Sequence, residues 1–133
     1  MAHMTWKDEY SVGVALLDED HKRLLEILNH LHDSLREEET AETLASVCDK
    51  LVDHMLASFG QEERYFAQTN YPQAATHRLM HEQLKQCLLQ FRREIGKCPL
   101  PLGQLYFFTD WLPHHIMGED KQLGVHLNAQ GIY

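Results

Sequence analysis

The side chains in this chain that can do chemistry are mostly imidazoles and carboxylates, and they recur at helical intervals. In "HRLMH", His77 and His81 stand four residues apart, so they share one helix face and both rings can reach one cation. Glu62 follows Ser58 by the same interval. His21 falls in phase with Leu24, Leu25 and Leu28, and His115 in phase with Leu112. Asp120 comes five residues after His115. Each has an ordinary explanation when taken singly. His21 reads as a satisfied core histidine, the His77/His81 pair as a chance spacing, Glu62 as the solvated partner of Glu63, and Asp120 as an exposed acid. Together they read as a metal centre. Four imidazoles and two carboxylates offer nitrogen and oxygen but no thiolate, which suits iron or manganese better than structural zinc. Two carboxylates among several imidazoles suggest bridging, and hence two cations. No nucleophile–base pair and no phosphate-binding loop accompanies them.

Such donors need rigid elements to hold them at one level. Four amphipathic segments meet that need, after an N-terminal arm whose alternation is too brief for a sheet. The first spans about 18 to 38, with Leu24, Leu25, Leu28, Leu31 and Leu35 on one face. The second starts after Thr40, a suitable N-cap with Glu42 behind it, and runs to about Thr69. Its stripe is Leu44, Cys48, Leu51, Met55, Ser58, Glu62 and Tyr65. The third is predicted from Pro72 to a Gly96 cap, with His77, His81, Leu84, Leu88, Phe91 and Ile95 in phase. The fourth follows "CPLPLG" and carries Leu105, Phe108, Leu112 and His115. Short connections make neighbours antiparallel, which predicts an all-α, up-down-up-down four-helix bundle. The polar interruptions then fall at one end: the start of the first and third helices and the end of the second and fourth. Asp120 lies about 140° around a straight helix from His115. It can join the others only if the helix ends or bends near Gly118, and Pro113 should loosen that turn.

Composition narrows the function further. A chain of 133 residues suits one domain, and "MAH" at its start reads as a cloning scar. The net charge of −8 argues against nucleic acid and anionic membranes as partners. No apolar run reaches membrane-span length. Cys48, Cys87 and Cys98 lack metal-site spacing and read as reduced thiols, consistent with a cytoplasmic location. Ten histidines are many for so acidic a chain. His30, His32, His114 and His126 read as surface or ordinary residues, and Trp6 and Trp111 as packing.

From about Trp6 to His126 the sequence resembles single-domain bacterial hemerythrins. The resemblance is carried by Trp6, "YSVGV" (10–14), Asp18, His21, "SF..EE" (58–63), "NYP" (70–72), "H...H" (77 and 81) and "WL..HI...D" (111–120). It implies a helical bundle holding two non-haem irons, bridged by carboxylates and an oxo or hydroxo group, that binds dioxygen or another small diatomic ligand. By position, His77, His81 and His115 match the histidines on the coordinatively filled iron, and Glu62 and Asp120 the bridging carboxylates. His21 matches one of two histidines on the iron with an open position. The other should stand one turn before the bridging glutamate, where this chain has Ser58. Ser58 could bind through its hydroxyl or hold a water. His54, a further turn back, could compensate only if the helix distorted. Leu112 matches a leucine shielding bound dioxygen; Phe59, Leu25 and Ile116 either line the same pocket or serve as ordinary core. The resemblance implies a carrier, store or sensor, which an oxygen-accepting protein could serve as partner. An iron left under-coordinated by Ser58 instead points to oxidase- or peroxidase-like chemistry or rapid autoxidation, and a degraded metal site is the remaining alternative.

Overall fold

The computed structural model describes residues 4–95 and 102–133, with side chains in the second stretch described from 109 onward. The Gly96 cap, Cys98, the segment 96–101 and residues 1–3 therefore lie outside the described residues, as do the side chains of Leu105 and Phe108. Among the described residues every regular element is helical. A 3-10 turn at Asp8–Tyr10 leads to α1 (Ala15–Arg36), α2 (Ala41–Thr69), α3 (Ala74–Glu94) and α4 (Leu102–His115). A π-helical turn, Ile116–Asp120, joins α4 to α5 (Lys121–Ala129). Neighbours pack in sequence order, α1 on α2, α2 on α3 and α3 on α4. His32 of α1 reaches Thr109 of α4 at 2.9 Å, closing the four-helix bundle. No described helix is long and apolar enough to cross a membrane.

Local chemistry sets the helix ends. Thr40 caps α2 as its position predicts, its Oγ1 accepting from Thr43 N–H at 3.2 Å. Asn70 ends that helix in the left-handed region (φ 51°), where Asn costs less than most residues. The Tyr71 N–H then donates to the Phe66 carbonyl at 3.0 Å. Two starts differ from the expected ones. α3 begins at Ala74, with Pro72 spent in the turn before it. α1 begins at Ala15, so Asp18 sits inside its first turn. The Asp18 carboxylate reaches back to the arm, accepting from Ser11 Oγ at 2.5 Å and Val12 N–H at 2.8 Å.

The core follows the predicted stripes: Leu24, Leu28 and Leu31; Cys48, Leu51 and Met55; Leu84, Leu88 and Phe91; then Leu123 and Leu127, all buried. Each large apolar side chain so buried contributes about 1.5–3 kcal/mol. The arm adds Tyr10, Val12 and Val14 to it. Gly124 lets the arm lie against α5: a Cβ there would stand 1.9 Å from the Val12 carbonyl oxygen.

The end of α4 takes a form that the sequence did not predict. Pro113 lies within α4, without a break before His115. The relaxation is a π-helical turn rather than a bend at Gly118. Its i→i+5 pattern stacks residues five apart, so Asp120 comes under His115 on one face.

Candidate metal centre

Six buried polar side chains meet at one end of the bundle: His21 from α1, Glu62 from α2, His77 and His81 from α3, His115 from the end of α4 and Asp120 from the π turn. Donor atoms of Glu62, His77, His81, His115 and Asp120 all lie within 4.8 Å of one another. The arrangement has two sides. Glu62 Oε1 is 3.2 Å from Nε2 of both His77 and His81, while Glu62 Oε2 faces His21 Nε2 at 3.6 Å. Asp120 Oδ1 is 2.9 Å from His77 Nε2 and 3.1 Å from His115 Nε2, while Asp120 Oδ2 lies 3.1 Å from His21 Nε2. Each carboxylate thus gives one oxygen to the three-imidazole side and the other to His21.

Proximity has not produced hydrogen bonds here. The Nε2 atoms of all four histidines, Glu62 Oε1 and Asp120 Oδ1 are buried without a hydrogen-bond partner. The folded chain would rarely leave so many buried polar atoms unmet at one place. These atoms are close enough to bond one another but not aligned to do so, as expected of donors directed at ions between them. The set is nitrogen and oxygen without sulfur, which fits iron or manganese. Cys48 and Cys87 are free thiols, and burial pushes both upward in pKa.

Electrostatics tie the six together. Burial opposes charge on His21, but the adjacent Asp120 and Glu62 outweigh it and raise its pKa to about 10. The same balance raises His77 to about 9. Burial and the Asp120 charge work to raise Glu62, yet its contacts with His21, His77 and His81 hold it down at about 2. Asp120 is likewise held well below its usual range, burial being outweighed by His115, His21 and His77.

The surroundings orient the rings. Phe59 stacks on His81 with centroids 3.8 Å apart, and Trp111 stacks on His115 at 4.2 Å. Phe66 packs on His77 at 5.0 Å. His81 Nδ1 lies 3.3 Å from Glu63, and His115 Nδ1 lies 3.5 Å from Glu119. Glu63, Glu119, Phe66 and the stacking role of Trp111 were missed by sequence reasoning. Their signal was adjacency: Glu63 and Glu119 each neighbour a member of the cluster, and Phe66 and Trp111 stand one turn from one. Leu25, Leu112 and Ile116 are buried in the core. Ser58 is buried one turn before Glu62 and its Oγ has no partner. His54 does not join the cluster. Its Nε2 faces the Asp20 carbonyl at 3.0 Å, because the undistorted α2 carries it around to α1.

A helical bundle with facing histidines and carboxylates buried at one end belongs to the class that builds cation sites in the bundle core. Residues 12–127 match the model of the hemerythrin HHE cation binding domain. The bacteriohemerythrin of Stenotrophomonas maltophilia is 30% identical, over 96% of this chain and 86% of that protein. The bacteriohemerythrin of Methylococcus capsulatus is 30% identical over 97% of this chain and all of the relative. A crystal structure of wild-type hemerythrin superposes with a TM-score of 0.85 at 27% identity, covering 95% of this chain and 98% of that one. The chain belongs to the hemerythrin family.

Proposed function

We propose that this protein is a cytoplasmic non-haem di-iron protein that binds dioxygen, or another small diatomic ligand, as a carrier, store or sensor. The observation that carries the reading is the division of each carboxylate between two groups of histidines. On it, His77, His81 and His115 would hold one iron and His21 the other, and Glu62 and Asp120 would each offer an oxygen to both. When bound, such a pair supplies two reducing equivalents and an open coordination position to a diatomic ligand.

The chain's own residues prepare the site. Glu63 accepts from His81 Nδ1–H, which fixes the tautomer and turns the Nε2 lone pair inward. Leu25, Leu112 and Ile116 keep bulk water from this end of the core, and Phe59 and Trp111 hold two of the rings in place. Dry surroundings slow proton delivery and so favour release of the ligand unchanged. A second reading has support from one observation. The His21 side has fewer protein donors, and Ser58, whose hydroxyl has no partner, stands where the resemblance expects a second histidine, which favours dioxygen or peroxide reduction, or autoxidation, over reversible carriage.

The test is an optical spectrum of the anaerobically reduced, iron-loaded protein before air, after air and after its removal, with iron counted. Two irons per chain and a visible charge-transfer band that comes and goes with air are expected. Immediate, irreversible oxidation with two irons would favour the redox reading, and turnover of an added reductant would mark it as an enzyme. One iron or none would indicate a degraded site.

A further inference from the structure

The two sides of the cluster are unequal. His77, His81, His115 and one oxygen from each carboxylate make five donors on one side; His21 and the two remaining oxygens make three on the other. For six-coordinate ions sharing one solvent-derived bridge, the first side is then full and the second has two terminal positions without a protein donor. Ser58 lies on the same face of α2 as Glu62, 2% exposed, with its hydroxyl unpartnered. A helical serine ordinarily turns its hydroxyl to the carbonyl one turn back, and this one does not. Nor does His54 fill the space, since its ring is engaged with Asp20.

We propose that the His21 side receives a small chelating oxyanion of the formate or nitrite class through two adjacent positions, with Ser58 Oγ–H donating a hydrogen bond to it. The inference rests on the di-iron reading above. Two carboxylates offset only part of the charge of an iron pair, so a buried ligand with negative charge is favoured over a neutral one. A carboxylate-like anion brings two oxygens on one atom, matching two adjacent positions, and its lone pairs accept from a hydroxyl.

The experiment uses the oxidised, iron-loaded protein, with iron measured first, azide to count open positions and formate as the chelating probe, both followed by calorimetric and optical titration. Two azides or one formate should bind per chain, and formate should displace both azides. Ser58→Ala should keep two azides and weaken formate about tenfold, through loss of one hydrogen bond to a charged group. Ser58→His should leave one azide. One azide per chain in the unsubstituted protein at full iron, or unchanged formate affinity in Ser58→Ala, overturns the proposal. Fewer than two irons per chain overturns the di-iron reading and this inference with it.

Discussion

At the scale of single side chains, the centre depends on which atom of each ring faces inward. A carboxylate on the outward nitrogen of an imidazole fixes its tautomer and raises its basicity, and losing such a partner typically costs about 10- to 100-fold in metal affinity. Glu63→Gln should therefore weaken iron retention by about tenfold in chelator competition while leaving the fold intact, since Glu63 is only partly buried. Equal retention by the variant would mean that the Phe59 stack alone orients His81. Ser58 calls for the opposite change. Ser58→His places an imidazole one turn before Glu62, on the side now served by His21 alone. Filling that position should slow autoxidation and lengthen the lifetime of any oxygenated form several-fold, read as decay of the charge-transfer band. An unchanged lifetime would show that position 58 does not govern the iron.

At the scale of elements, the π turn decides whether Asp120 belongs to the cluster. A hinge at Gly118 would need that residue's freedom, but a Cβ there would meet nothing within 4 Å. Gly118→Ala should fold, hold the same iron and gain up to about 1 kcal/mol in denaturant unfolding. Loss of iron would restore the hinge account. Gly124 is the contrasting case, because the Val12 carbonyl occupies the space of its missing side chain. Gly124→Ala should push the arm off α5 and cost about 3 kcal/mol or more, seen as a lower urea midpoint. The four helices and the level of the polar interruptions were readable in the sequence because burial imposes its period on the residues. Leu84, Leu88 and Phe91 declare a face whatever they pack against, and His77 and His81 inherit it. The π turn was not readable, since a pattern read at 3.6 residues per turn rotates Asp120 away from His115. That His54 stays out of the pocket on an undistorted helix was legible from its rotated face; its partner, the Asp20 carbonyl, was not, because only the packing of α1 against α2 supplies it.

At the scale of the whole molecule, the same groups that would hold metal form a charge network without it, and the two states should respond oppositely to pH. His21 and His77 are raised from the ordinary 6.5 to about 10 and about 9. A raised imidazole contributes stability fully below its unfolded pKa and loses it as pH climbs through the folded value. Glu62 is lowered from 4.5 to about 2; its contribution is present above the unfolded value and is lost as pH falls toward the folded one. The metal-free chain should thus be most stable, as far as these groups decide, between about pH 4.5 and 6.5, and should weaken steadily toward about pH 10. Iron binding requires the imidazoles neutral, so loading must expel their protons and gains strength where the metal-free network fails. The melting temperature of the metal-free protein should fall between neutral and alkaline pH while that of the loaded protein holds. Loading near neutral pH should release about two protons from His21 and His77, beyond those that water gives up in forming the bridge, counted by calorimetry in buffers of different ionisation enthalpy. Release of the bridge's protons alone would mean that these rings are already neutral in the metal-free fold. The buried carboxylates would then be unpaired, and the metal-free chain should stabilise sharply on acidification instead.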